Sequence, residues 1–285
     1  MKLCRYGNAG AEKPGLIDRD GRLRDLSSVI ADIGPQEIAP AQLQKLSRLE
    51  AERLPLVNGS PRLGVPYTGI SKFVAIGLNY SDHAKEAGLP LPSEPIVFLK
   101  ATTCISGPND DIVQPRNSTR LDWEVELGVV IGTKARYVGE AEALRHVAGY
   151  CIVNDVSERS FQMATSQWDK GKGFDTAGPI GPWLVTADEV PDPQDLEMAL
   201  EVNGKRMQSG NTRTMVFGVA KLISHVSHYM TLLPGDIIAT GTPPGVGLGI
   251  KPAPVFLQPG DELRLTIAKL GEQRQRVVAE QAERR

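Results

Sequence analysis

The sequence predicts an α+β chain that is mainly β, and three observations carry that reading. Glycine and proline are abundant, 29 and 21 among 285 residues, above the ~12% of ordinary chains, which favours many turns over a helical bundle. Apolar runs are short, rich in β-branched residues and bounded by turn signals, as in Leu127-Gly128-Val129-Val130-Ile131-Gly132. Few stretches carry the spacing of an amphipathic helix.

Taken in order, Met1 to Tyr6 reads as a strand, Asp18-Arg19-Asp20-Gly21 as a turn, Leu26 to Ile30 as a further strand and residues 41 to 53 as a helix. The Pro/Gly-rich stretch Asn58 to Pro66 divides a small N-terminal domain, residues 1–68, from a large domain, residues 69–285. Lys72 to Gly77 is a strand, and Ser81 or Asp82 is placed to cap a short helix that Gly88 ends. Leu89 to Pro95 is a stiff, proline-rich stretch able to close over a site like a lid. Pro95 to Lys100 reads as a buried strand, Val147 to Asp155 as another, and residues 139 to 146 and 156 to 162 as helices. Asn203-Gly204 marks a hairpin turn, residues 215 to 230 an amphipathic helix, residues 262 to 268 and 274 to 279 the last strands, and a charged tail follows.

Lys plus Arg number 32 against 34 Asp plus Glu, a net charge of −2, so there is no electrostatic case for nucleic acid or an acidic membrane. Cys4, Cys104 and Cys151 have no metal or redox spacing and read as reduced thiols. The first ten residues lack the apolar core of an export signal, and no run approaches ~18 apolar residues. The expectation is a cytoplasmic protein with a small-molecule substrate.

Chemistry concentrates in four places. Glu124 and Glu126 lie two apart on a strand and so point to one face. With Asp155 at the end of another apolar run they form a set of hard oxygen donors suited to Mg²⁺, Mn²⁺ or Ca²⁺. The alternative pairs the two glutamates with Arg116 or Arg120. His83 and Glu86 are i and i+3 on a short helix, the arrangement of a general base and its orienting carboxylate, or else of a surface ion pair. Arg159 and Gln162 share a face and suit a carboxylate or keto group. Lys172, between Gly171 and Gly173, either reaches into a site or is solvated. The loop after Asp236 to Thr240 is not a phosphate loop, but its backbone N–H groups and the Thr242 hydroxyl can hold a carboxylate. His225 and His228 read as structural, having no acidic neighbour at ligand spacing.

Nine short motifs in one order add a resemblance. They are Gly77-Leu78-Asn79-Tyr80 with His83 and Glu86, Glu124-Val125-Glu126-Leu127, Asn154 to Arg159 with Gln162, Gly171 to Asp175, Gly181-Pro182-Trp183, Val202-Asn203-Gly204, Leu233 to Asp236, and Thr240 to Pro243, with the N-terminal Met1 to Gly7. Together the chain resembles the fumarylacetoacetate hydrolase (FAH) family, in the bacterial branch often labelled ureidoglycolate lyase or 2,4-diketo-3-deoxy-sugar-acid hydrolase. The resemblance implies a β-roll catalytic domain, a homodimer, and a metal held by Glu124, Glu126 and Asp155. It implies a substrate recognised by Arg159, Gln162, Lys172 and Thr242, with His83, Glu86 and Lys172 as catalytic residues. The activity it implies is cleavage of the C3–C4 bond of a 2,4-diketo acid, such as 2,4-diketo-3-deoxy-L-rhamnonate or L-fuconate, to pyruvate and an acid such as lactate. Competing expectations are a lyase, either oxaloacetate decarboxylase or ureidoglycolate lyase, and a non-enzymatic binding protein.

Overall fold

The computed structural model describes residues 1–280; the charged tail beyond them lies outside the described residues. Its main element is a ten-stranded sheet. At its centre Val125–Ile131 pairs antiparallel with Val147–Asn154 on one side and Ile237–Ala239 on the other. Both long strands are buried throughout, which is why they read as unbroken apolar runs. Beyond Ile237–Ala239 come Phe73–Gly77 and then the edge strand Ile96–Lys100. On the other flank come Gly178–Thr186, then Lys2–Tyr6, Lys13–Ile17 and Leu23–Asp25. The N-terminal strands therefore extend the same sheet, and Leu3, Leu26 and Ile33 share one core with Phe73, Leu127 and Ile152.

The sheet closes into a roll. Ile96–Lys100 stands four strands from Val147–Asn154 in the pairing order, about 19 Å along a flat sheet at ~4.8 Å per strand. Yet Lys100 Nζ donates to Asp155 Oδ1 at 2.6 Å, beyond any reach of these side chains unless the sheet curls. Ile105–Ser106, just after that edge strand, then pairs parallel with Gly178 and Pro179 on the opposite flank. The order around the roll thus returns to its start.

A five-stranded sheet, ordered Lys205–Asn211, Glu197–Val202, Glu262–Ile267, Gly271–Ala279 and Ile112–Gln114, packs against the roll. Its hairpin turns at Asn203 and Gly204, with φ of 51° and 76°, as the Asn-Gly pair predicts. Buried amides join it to the roll where regular pairing stops. Gln208 Oε1 accepts from Val125 N, Asn154 Oδ1 accepts from Glu124 N, and Asn154 Nδ2 donates to Gln275 Oε1. Without them these buried N–H groups would be left unpaired.

Several local expectations are corrected. The strand expected at Leu26 to Ile30 lies earlier, at Leu23–Asp25, because Asp25 accepts from Ser27 N and starts a turn. The helix read over residues 41 to 53 is Pro40–Leu46, followed by a separate 3₁₀ turn at Ala51–Arg53. Ile96–Lys100 is not buried but an edge strand, with Ile96 and Leu99 exposed. The segment after Asp155 begins as a short strand, Ser157–Glu158, and turns helical at Arg159–Gln162, where the Glu158 side chain, not Ser157, caps the helix by accepting from Ser160 N.

Candidate active site

The site lies at one end of the roll. Glu126 is paired directly with Val153, so their side chains share a face. Two-residue periodicity brings Glu124 and Asp155 to that face, and Asp155 N donates to Glu124 O at 2.9 Å. One oxygen from each of Glu124, Glu126 and Asp155 lies within 4.8 Å of the others, and all three residues are buried. Arg116 and Arg120 are not their partners. Glu124 instead accepts from Arg159 Nη2 at 2.7 Å and from Lys172 Nζ at 2.8 Å. Asp155 accepts from Lys172 Nζ at 2.7 Å through Oδ2 and from Lys100 Nζ through Oδ1.

Glu126 differs from the other two. Among the described residues no cation pairs with it, and its Oε2 accepts only from Gly241 N, at 2.8 Å. Burial first, then the charges of Asp155 and Glu124, push its carboxyl well above the usual range. Burial would raise Glu124 too, but Lys172 and Arg159 outweigh it and hold that carboxyl down at about 2. Burial would likewise lower the Lys172 ammonium, but Asp155 and Glu124 keep it above its ordinary value. A buried carboxylate with no counter-ion, facing two more, is a donor set that fits a hard divalent cation.

Arg159, Gln162 and Lys172 come together around these carboxylates. Arg159 Nε donates to Asp122 Oδ2 at 2.8 Å and Nη1 to Gln162 Oε1 at 3.1 Å. Lys172 is not solvated: it ends the short helix Asp169–Lys172 and is 2% exposed. Gly171 allows this, since a Cβ there would stand 2.4 Å from Gln162 N. That close approach seats the helix on Arg159–Gln162 and drives the lysine inward.

His83 and Glu86 lie on the helix Ser81–Ala87, with His83 Nδ1 3.1 Å from Glu86 Oε2. Neither Ser81 nor Asp82 caps it; Tyr80 holds the N-cap position without a side-chain bond, and Gly88 ends the helix at φ 68° as expected. Asn79 fixes the preceding turn, donating to Phe217 O and Thr240 O and accepting from Phe217 N. The glycine-rich loop does hold carboxylates, but they are the protein's own. Gly241 N serves Glu126, Gly245 N serves Glu86 at 3.1 Å, and Gly247 N and Leu248 N serve Asp122. Gly245, at φ 102°, could carry no side chain there, because a Cβ would meet Met207 O at 1.9 Å. The Thr242 hydroxyl is likewise committed within the protein, donating to Val125 O and accepting from Gln208 Nε2.

Sequence reasoning missed three contributors. Lys100 reads as the end of an apolar strand, and only roll closure reveals it. Asp122 gathers Arg159, Gly247, Leu248 and the Trp123 N–H, although an aspartate two before Glu124 on the same strand face was an available signal. Gln208 carried no signal. His225 and His228 lie apart from any group able to hold a metal among the described residues; His228 Nδ1 is 2.7 Å from Ser224 O.

A mainly β roll with a buried, cation-flanked carboxylate triad defines a class of enzymes. The chain belongs to the fumarylacetoacetate hydrolase family: residues 72–278 match the model for the fumarylacetoacetate (FAA) hydrolase C-terminal domain. A Burkholderia multivorans relative with only a general hydrolase name is 61% identical over 276 residues, 96% of this chain and 98% of that one. A solved fumarylacetoacetate hydrolase from Exiguobacterium antarcticum is 35% identical with a TM-score of 0.86, covering 98% of this chain and 100% of its own. A 2-hydroxyhepta-2,4-diene-1,7-dioate isomerase from Mycobacterium marinum is 33% identical with a TM-score of 0.75, and covers 99% and 100%. The maleylpyruvate hydrolase of Sphingobium sp. SYK-6, solved with manganese(II) and pyruvate, is 30% identical with a TM-score of 0.83, again over 99% and 100%. Family and relatives support an enzyme of hydrolase or isomerase type, and the manganese-bound relative and the triad support a divalent metal. Among the described residues no helix is long and apolar enough to cross a membrane.

Proposed function

We propose that the protein is a Mg²⁺-dependent hydrolase that cleaves the C3–C4 bond of a 2,4-diketo acid, of the type of 2,4-diketo-3-deoxy-L-rhamnonate or L-fuconate, to pyruvate and a carboxylic acid. The observation that carries this reading is the joining of two half-sites. The triad is tied by its own cations to Arg159, Gln162 and Lys172, and the glycine-rich loop ties Glu126 and Asp122 on that side to Glu86 on the other.

Glu124, Glu126 and Asp155 would hold the ion, which supplies Lewis-acid stabilisation of negative charge developing on a 2-keto acid. A count of donors shows what the chain adds. Arg159 has five N–H groups and uses three on Asp122, Gln162 and Glu124, leaving two. Gln162 uses its oxygen and keeps its NH₂, and Lys172 uses two of three N–H groups. These remaining donors suit the carboxylate and keto oxygens of the pyruvate half. Thr242 contributes by holding Val125 and Gln208 in place. On the other side Glu86 engages His83 Nδ1, which fixes the tautomer and leaves Nε2 to take a proton from water. The hydroxide attacks C4, the C3–C4 bonding pair leaves with C3, and C3 is then protonated to give pyruvate.

A lyase such as an oxaloacetate decarboxylase is the second reading, and an isomerase reaction is favoured by the isomerase among the solved neighbours; either would use the same 2-keto-acid half-site. The discriminating experiment assays pyruvate and acid release from 2,4-diketo acids, and CO₂ release from oxaloacetate, with added Mg²⁺. Stoichiometric pyruvate and acid from a 2,4-diketo acid is the expected result. Decarboxylation of oxaloacetate with no cleavage of any diketo acid would replace the hydrolase reading. A homodimer belongs to the same proposal, and a monomer in sedimentation would remove that part.

A further inference from the structure

Asp122 and Trp123 immediately precede the first glutamate of the triad, and both are fully buried. Asp122 is saturated. Its Oδ1 accepts from Trp123 N at 2.8 Å and Gly247 N at 2.6 Å, and its Oδ2 accepts from Arg159 Nε at 2.8 Å and Leu248 N at 3.0 Å. These bonds use every acceptor position that a carboxylate offers. Trp123 grips the same loop a little earlier. Its indole Nε1 donates to Gly245 O at 3.0 Å, and its ring lies so close to Gly247 that a Cβ there would stand 3.1 Å from it. The other side of the loop carries Glu86. Gly245 N lies 3.1 and 3.2 Å from its two carboxylate oxygens, and a Cβ on Gly249 would stand 3.1 Å from its Cδ. Gly245 is thus held through its oxygen by Trp123 and gives its N–H to Glu86, which lies 3.1 Å from His83 Nδ1.

A substrate held at one end by Arg159 and attacked by water that His83 activates needs a fixed distance between those two groups. A misplacement of about 1 Å can cost on the order of 10²-fold in rate. We infer that Asp122 and Trp123 are positioning residues for this reaction. Asp122 sets Arg159 and the loop together, whereas the Trp123 indole N–H bonds the loop alone and acts through Gly245 and Glu86 on His83. The inference rests on the water-activation reading above and deepens it. The two residues are separable by substitution. Asp122→Asn keeps the shape but sets an NH₂ group against two of the four donors, so it loosens both reaches at once. Trp123→Phe keeps an aromatic ring and removes the N–H that holds Gly245.

The test measures kcat and KM for a 2,4-diketo acid with Mg²⁺ in Asp122→Asn and Trp123→Phe, each made in the native and in the His83→Ala background. Asp122→Asn should raise KM and lower kcat, each by at least about tenfold. Trp123→Phe should lower kcat by at least about fivefold, the rate equivalent of one hydrogen bond, with KM unchanged. Residues that act through one group are not additive. With His83 removed, both losses of kcat should therefore shrink to less than about twofold, while the KM rise of Asp122→Asn persists. Equal losses of kcat in both backgrounds would overturn the inference and leave the pair as fold residues. Amide exchange at residues 84–88 reads the same linkage without activity. It should quicken in both variants while Val147–Asn154 stays unchanged, and unchanged exchange at residues 84–88 would also overturn the inference. If Asp122→Asn does not fold, the kinetics and exchange of Trp123→Phe decide alone. No cleavage of any diketo acid by the native protein, with faster exchange in the variants, would overturn the hydrolase reading and leave the positioning of Glu86 standing.

Discussion

Charge at the centre of the site is unevenly distributed among residues of the same type. Glu124 and Asp155 each have both oxygens engaged by cations, whereas Glu126 has one backbone N–H. Glu124→Gln or Asp155→Asn should reduce Mg²⁺ or Mn²⁺ affinity at least about tenfold, the scale for a perturbed metal site; unchanged calorimetric affinity in both would remove them from the ligand set. Lys100→Met takes an ion out of a buried pair and should destabilise the protein by roughly 3–5 kcal/mol in denaturant unfolding. A loss below ~1 kcal/mol would mean that Lys172 alone suffices for Asp155. His83→Ala should slow cleavage of a 2,4-diketo acid by about 10²-fold or more, while decarboxylation of oxaloacetate, which needs no activated water, falls far less. Equal losses, with fold and metal affinity intact, would end the water-activation role. At this scale the sequence was legible where one local spacing sufficed. Two residues apart on a strand set Glu124 beside Glu126, and three apart on a helix set His83 beside Glu86. Spacing alone did not decide Lys172, whose glycine neighbours also fit a solvated loop; only the family resemblance pointed to it.

Among the elements, long buried strands were easy to place and short capped helices were not, because a four-residue helix such as Arg159–Gln162 or Asp169–Lys172 is held by its neighbours and not by its own periodicity. The helix Ser81–Ala87 is tied by Glu86 to Gly245 and by Ser81 Oγ to Thr214 O, but the segment after it exposes Leu89 and Leu91. We propose that residues 89–95 form the lid while the helix Ser81–Ala87 stays docked. Hydrogen exchange across residues 80 to 95 should slow when pyruvate and Mg²⁺ are added, most strongly after Gly88. Complete protection before addition would mean a preformed cover and no lid.

For the whole molecule, we propose that metal, folding and pH are linked through Glu126. A carboxyl whose folded pKa exceeds its unfolded value keeps a proton that the unfolded chain releases. Stability of the metal-free protein therefore falls as pH rises from the ordinary carboxylate value through the elevated one. A bound cation replaces that proton, so its stabilising effect grows over the same window. The increase in Tm caused by saturating Mg²⁺ should accordingly be larger at about pH 8 than at about pH 5.5, and Glu126→Gln should flatten the difference. A metal-induced shift independent of pH in the native protein would separate Glu126 from the ion.

What the sequence determined by itself was the set of local facts that strand and helix periods impose: a mainly β chain, which residues share a face, and which motifs follow one another in the order of a known family. What only the tertiary structure decided was which faces meet. Closure of the sheet brings Lys100 from the far edge onto Asp155, and the contact of Gly171 with Gln162 turns Lys172 inward. The folded loop spends its amides, and Thr242 its hydroxyl, on the protein's own groups. The physical reason is the same in each case. Periodicity acts over a few residues and is written in their spacing, whereas a buried charge or polar group takes whatever partner the completed packing brings within reach, 55 residues away for Lys100 and 117 for Thr242.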